Sequence, residues 1–264
     1  MVKRSSRLGF LGGAHVFPGG AVDDEDRAEA LEPLLEGFDA ERAAHLLSVD
    51  DHARARGHYV AAIRELFEEA GILLARRADS SWFDDVAERA GSPLAEQRRA
   101  VAAGRLPLAR FLEERGLRAA ADALCYFAHW ITPAIERKRF DTRFFLARMP
   151  SRQEARHDRT ESIEGEWVRP ADGLERYGRR QIELVPPTIC ALDRLALHSC
   201  VAEALEAALT LEVVEVLPKI IMADSGVTIL YPGDEDYEVG VAHPVEPGRI
   251  LNRLALRDGI WSKP

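Results

Sequence analysis

Apolar residues return at Ile63, Leu66, Phe67 and Ala70, the i, i+3, i+4, i+7 spacing of a helix that buries one face against a core. The polar positions of the same stretch are Glu65, Glu68 and Glu69, which share a patch because they too stand at i, i+3, i+4. Like charges at that spacing repel by a few tenths of a kcal/mol per pair. Clustered oxygen ligands of this kind suit a hard divalent cation; a solvated acidic face is the plainer alternative. Gly71 follows where a helix ends in a left-handed residue.

The remaining pattern alternates helical and strand signals. Residues 27–57 read as a polar helical insertion, and Ile72–Arg76 as a short strand after the central helix. Ser81–Ala90, Pro93–Ala102 and Leu108–Ala123 read as three short helices, broken by Gly91-Ser92-Pro93 and Gly104. Together they form an insertion over about 79–123, either a cap above a site or a packing surface. Cys125–Thr132 and Phe140–Ala147 carry the aromatic and β-branched residues of paired strands. His129, between apolar neighbours, reads as a strand residue rather than a ligand. A helix is expected over Ala171–Tyr177, a strand over Ile182–Val185, and a long helix from Pro186-Pro187-Thr188 to Leu209. The last stretch is β-rich, with strands at Val213–Met222, Val227–Tyr231 and Arg249–Leu256 and a turn at Asp258-Gly259.

Composition narrows the function classes. A chain of 264 residues with 47% hydrophobic and 30% charged positions can build one large globular domain, with or without an appendage. The net charge of −9 argues against nucleic acid or an anionic membrane as partner. Positive charge is nearly all arginine, the lysines being Lys3, Lys138, Lys219 and Lys263, which suits bidentate phosphate contacts. Cys125, Cys190 and Cys200 form no close pair, pointing to a reducing compartment. No apolar run approaches the ~20 residues that span a bilayer, and no signal peptide or Ser-Lys-Leu ending is seen, so the cytoplasm is expected.

Upstream of the acidic helix stands Phe17-Pro18-Gly19-Gly20. With Arg64-Glu65-Leu66-Phe67-Glu68-Glu69-Ala70-Gly71-Ile72 it resembles the Nudix box: Gly, five residues, Glu, seven residues, then Arg-Glu-apolar-any-Glu-Glu-any-Gly-apolar. The back half matches at every specified position, and Asp26 stands where the front half has Glu. Thirty extra residues separate the halves, since the pattern would put its Arg at position 34 and it stands at 64. A split box of this kind resembles the peroxisomal coenzyme A diphosphatases of the Nudix hydrolase 19 type. Shared segments are Ala-His-Val-Phe-Pro-Gly-Gly at 14–20, Ala-Ile-Arg-Glu-Leu-Phe-Glu-Glu-Ala-Gly at 62–71, Trp130-Ile-Thr-Pro, and Arg139-Phe-Asp-Thr-Arg-Phe-Phe. Arg4-Ser5, Gly13 and Phe17–Gly20 keep the branch's register, but Gly9 replaces an expected Arg, so the start reads as truncated with Met1 inside a strand.

The resemblance implies an α/β Nudix fold, a mixed sheet sandwiched between helices, over residues 1–210, with a C-terminal extension at 211–264. It implies hydrolysis of a phosphoanhydride in a nucleoside diphosphate linked to another moiety, coenzyme A or an acyl-CoA first among them. Glu65, Glu68, Glu69 and the Gly19 carbonyl would hold Mg²⁺ or Mn²⁺. Arg64 would orient a box carboxylate, with Asp26 as its partner if the insertion loops out. Glu161, or failing it Glu164, would take the proton from the attacking water, and Arg4, Arg137 and Arg139 would meet substrate phosphates. Expected alternatives are a pyrophosphatase for ADP-ribose or NADH, and an inactive nucleotide-binding regulatory module. The expected partner is a small nucleotide diphosphate; nucleic acid and membrane are not expected, and a homodimer is allowed for.

Overall fold

The computed structural model describes residues 1–5, 12–84, 92–133, 135–136, 138–156, 162–223, 226–238 and 252–263. In chain order the elements begin with strands β1 (Val2–Arg4) and β2 (His15–Val16), two 3-10 turns at Glu25–Arg27 and Glu29–Leu34, and β3 (Leu35–Glu36). Helices α1 (Ala40–Leu47) and α2 (His52–Ala70) follow, then β4 (Ala75–Arg77), α3 (Pro93–Ala102), α4 (Leu108–Arg115) and β5 (Leu117–Ala120). Next come β6 (Cys125–Ile131), β7 (Asp141–Leu146), β8 (Ser162–Gly165), α5 (Pro170–Gly178), α6 (Pro186–Leu195) and α7 (Val201–Thr210). Strands β9 (Glu215–Val216), β10 (Lys219–Ala223), β11 (Gly226–Leu230), β12 (Arg253–Arg257) and β13 (Ile260–Ser262) complete the chain.

The chain divides into two compact units, Met1–Tyr126 with Phe145–Val168, and Phe127–Phe144 with Arg169–Pro264. This division does not fall at residue 210. The chain passes between units inside β6 and β7, and β9 of the tail pairs in parallel with β6, His129 opposite Glu215.

In the first unit, β1 lies between β2 and β8, antiparallel to both. A second sheet is mixed: β5 runs parallel to β3 and antiparallel to β4. Helix α2 supplies the core. Val60, Ile63 and Phe67 are fully buried, and the Phe67 ring packs 5.1 Å from that of Phe111 in α4. In the second unit β10, β11, β12 and β13 form an antiparallel meander, closed by the Asp258-Gly259 turn. His129, buried in β6, meets Asp141 of β7 at 2.7 Å. Among the described residues no helix is long and apolar enough to cross a membrane.

Several local expectations change. Residues 27–57 are not a polar excursion, because Leu31, Leu35, Ala43, Ala44 and Leu47 are buried and β3 enters a sheet. The helix expected over Leu108–Ala123 stops at Arg115: Gly116 turns left-handed at φ 60°, and the chain then becomes β5. The long helix to Leu209 is two, with the break near Ser199, whose amide and hydroxyl both donate to Glu203. Ile182–Val185 forms no strand, although Ile182 and Leu184 are buried. The expected Ser81–Ala90 helix lies mostly outside the described residues; Trp82 makes an isolated bridge to Arg76.

Gly57 sits mid-helix in α2, where glycine costs about 1 kcal/mol against alanine. A Cβ there would meet Val22 Cγ1 at 2.8 Å and Arg27 Cγ at 2.9 Å, so the missing side chain lets the front of the insertion lie against the helix. Gly57→Ala is expected to destabilise the protein by roughly 1–3 kcal/mol despite its better propensity. Urea unfolding measures this, and a more stable variant would show that residues 22–27 do not pack on α2.

Candidate metal and active site

Helix α2 positions the acidic residues. Asp51 caps its start by accepting from the Ala53 amide, and Gly71, left-handed at φ 69°, ends it with its amide donating to Phe67 O at 3.0 Å. The 19-residue rod between them presents Arg64, Glu65, Glu68 and Glu69 to the loop of Phe17–Gly20. None of the four is a solvated surface residue; Arg64 and Glu69 are buried and the other two half-buried.

The guanidinium of Arg64 joins the two halves of the motif. Its Nε and Nη2 donate to Asp26 Oδ1 and Oδ2, both at 2.9 Å, across 38 residues of chain. Nη2 also donates to Ala21 O at 2.8 Å, and the Asp23 amide donates to Asp26 Oδ2 at 2.9 Å. With its plane fixed by that fork, Nη1 reaches Glu65 Oε1 at 2.9 Å and Glu68 Oε1 at 3.2 Å. The glycines complete the approach. A Cβ on Gly20 would sit on the Glu65 carboxylate, 2.7 Å from Oε2, and the Gly19 amide donates to Glu69 Oε2 at 3.4 Å.

The donor set fits a hard cation. Four carboxylates, Asp23, Asp26, Glu65 and Glu68, lie within 4 Å of a single guanidinium, and Glu69 adds a fifth beside the loop. Burial pushes Glu65 up to about 7, against the pull of Arg64 and with repulsion from Glu68 adding to it. Burial raises Glu68 in the same way, again against Arg64. Burial opposes the charge on Arg64, but Asp26, Glu65 and Glu68 outweigh it and hold that charge firmly. Carboxylates that resist ionisation in a half-buried patch are those a divalent cation stabilises. Among the described residues, however, no three acidic, His or Cys side chains converge as a preformed cage, since Glu65 and Glu68 turn towards Arg64.

Arg4 lies in β1 of the same unit, with its Nε buried and without a hydrogen-bond partner among the described residues. Arg139 belongs to the second unit, where its Nε donates to Thr132 O at 3.0 Å. Glu161, Arg137 and Gly9 lie outside the described residues, and Glu164 is described only as a position in β8. Two buried arginines of the first unit escaped the sequence reading. Arg56 donates to Glu32 at 3.0 Å and to Arg27 O, pinning the insertion a second time. Arg98 of α3 donates to Glu68 O and Arg156 O. The available signal was position: Arg56 shares a stripe with Val60, Ile63 and Phe67, and Arg98 with Leu94 and Val101.

Asp26→Asn would keep the shape but replace one of the two acceptors of the fork by an amide NH2 facing the guanidinium, so unfolding should cost about 1–3 kcal/mol less, the scale of a buried donor left unpaired. Equilibrium denaturation checks it. The raised Glu65 gives a second expectation. The folded chain holds this proton up to about pH 7, whereas the unfolded carboxyl releases it near its ordinary 4.5. The metal-free protein should therefore lose stability as pH rises between those values. Melting temperatures in EDTA should fall across that window in wild type more than in Glu65→Gln, and parallel curves would refute it.

The profile of the NUDT19 Nudix domain matches residues 57–195. The acyl-coenzyme A diphosphatase NUDT19 of Homo sapiens is 29% identical over 90% of this chain and 71% of its own length. The protein of the same name from Gallus gallus is 30% identical over 89% of this chain and 71% of its own. A crystal structure of a NUDIX hydrolase from Alicyclobacillus acidocaldarius superposes with a TM-score of 0.62 at 29% identity, covering 78% of this chain and 86% of that one. With the Arg64–Asp26 fork closing the divided box, the chain belongs to the NUDT19 Nudix domain family of α/β Nudix hydrolases.

Proposed function

We propose that this Nudix pyrophosphohydrolase cleaves the phosphoanhydride of coenzyme A or an acyl-CoA, releasing 3′,5′-ADP and 4′-phosphopantetheine or its acylated form. The observation that supports the reading is the Arg64 fork, whose Nη1 meets Glu65 and Glu68, while Glu69 accepts from the Gly19 amide of the neighbouring loop. The names of the human and chicken relatives supply the substrate class.

Nudix hydrolases use divalent metal ions; here Mg²⁺ or Mn²⁺ is proposed, held by Glu65, Glu68, Glu69 and the Gly19 carbonyl. Bound there, the cation would neutralise the diphosphate and acidify a water. Arg64 keeps the Glu65 and Glu68 carboxylates aimed without spending its own charge on substrate. Glu161, or Glu164, accepts the proton of the attacking water. The water oxygen bonds to phosphorus as the bridging P–O bond breaks, and the leaving phosphate departs as an anion. Arg4, with a buried Nε to satisfy, meets a substrate phosphate, and Arg137 and Arg139 serve the same end. The three free thiols, Cys125, Cys190 and Cys200, support a reducing compartment, the cytoplasm, as its location.

Purified protein incubated with Mg²⁺ or Mn²⁺ and a panel of coenzyme A, acetyl-CoA, ADP-ribose and NADH should convert the first two, with 3′,5′-ADP resolved by chromatography. Glu68→Gln should lose about 10²–10⁴-fold in kcat, the usual scale for a removed acid–base or ligand carboxylate. Cleavage of ADP-ribose or NADH alone would discard the coenzyme A reading, and full activity of Glu68→Gln would discard the site.

A further inference from the structure

Helix α2 ends at Ala70, which leaves its last carbonyls without partners from its own chain direction. Three of the last four are met, each in a different way: Phe67 O, Glu68 O and Ala70 O. Phe67 O accepts from the Gly71 amide, and Ala70 O accepts from the Arg156 amide at 2.7 Å. Glu68 O accepts twice from Arg98, whose Nε lies at 3.1 Å and Nη2 at 3.0 Å. The same Nη2 donates to Arg156 O at 2.6 Å. One guanidinium thus bridges the carbonyl of a box residue and the segment that precedes β8. Its positive charge stands at the C-terminal end of the helix dipole, where cations are favoured.

Arg98 is itself placed with care. Helix α3 is capped by the Ser92 hydroxyl, which accepts from the Ala95 amide, and it buries Leu94, Arg98 and Val101 on one face. A charge in the middle of an apolar stripe costs desolvation that a neutral residue would not, and the hydrogen bonds to the two carbonyls help to offset that cost. The bridged segment is held a second time. Gln153 accepts from the Leu73 amide at 2.8 Å and donates to Leu73 O and Phe83 O at 2.8 and 2.7 Å. Residues 153–156 are therefore locked onto the chain leaving α2, five residues in sequence before Glu161.

We infer that Arg98 is a positioning residue of the reaction: it fixes the last turn of α2, and with it the Glu68 and Glu69 carboxylates, in register with the 153–156 segment. The insertion that carries α3 then acts as an external cap for the metal-binding helix. This rests on the proposed metal hydrolase, so its test needs a readout that does not require turnover. Mn²⁺ binding by the full chain, followed by electron paramagnetic resonance, supplies one.

In Arg98→Gln the carbonyl bridge is lost. Mn²⁺ affinity should drop by about 10–100-fold, the usual loss when an outer support of a ligand is removed. With coenzyme A, kcat per folded molecule should fall by a similar factor while KM stays within about threefold. Arg98→Lys, which keeps the charge but cannot span two carbonyls, should fall between wild type and Arg98→Gln, and it stands in if the Gln variant fails to fold. A merely structural arginine would lower the melting temperature and leave Mn²⁺ affinity and kcat within twofold, which would overturn the inference. If wild type binds Mn²⁺ but turns over no substrate, the coenzyme A reading fails while the binding series still decides the role of Arg98.

Discussion

The bidentate pair between Arg64 and Asp26 is the interaction on which the site depends. A guanidinium held by two parallel hydrogen bonds has a fixed plane, and only its remaining Nη1 edge is left to turn towards Glu65 and Glu68. A lysine could neutralise Asp26 but could not transmit a direction. Taking such a pair out of water costs about as much as its attraction returns, so its value lies less in net stability than in specifying one arrangement. Here the arrangement matters because the partners are 38 residues apart and the chain between them folds on its own account.

That intervening chain explains how a motif can be divided without being lost. Its start is fixed by Asp26 on Arg64, and its continuation by Arg27 O and Glu32 on Arg56. Gly57, between the two arginines, gives up side-chain bulk so that Val22 and Arg27 can lie against the helix. Leu31, Leu35 and Leu47 then join the core, and β3 takes a parallel place beside β5. The insertion is thereby anchored on the side from which the acidic residues must be approached by the Gly19-Gly20 loop. Two buried arginines and one glycine on a single helix do the joining.

Much of this was legible in the sequence, and the exceptions share a cause. The 3.6-residue spacing of Ile63, Phe67 and Ala70 identified the buried face of α2, and Gly71 identified its end, because both depend on local geometry alone. The contiguity of Glu65, Glu68 and Glu69 was equally local. What could not be read was which polar residues leave the surface. Residues 27–57 look polar by count, yet seven apolar positions among them, Leu31, Leu35, Ala43, Ala44, Leu47, Val49 and Ala55, are buried and tie the segment to the core. Leu108–Ala123 has helical composition throughout, but a left-handed Gly116 and pairing with both β3 and β4 turned Leu117–Ala120 into β5. The break of the Pro186–Leu209 helix follows from Ser199 and Glu203, a local competition that composition conceals.

Arg56, Arg64 and Arg98 make one further point about charge in this protein. Each lies on the buried stripe of its helix, and each donates to backbone carbonyls: Arg27 O, Ala21 O, and Glu68 O with Arg156 O. Carbonyl partners do not titrate, so that part of each anchor does not change with pH. The box carboxylates, whose proton affinity burial has raised, are left as the groups able to respond to a cation or to a proton. A rigid frame of arginines on carbonyls around a responsive set of glutamates separates holding the site from operating it. That separation lets a divided motif work as a single one.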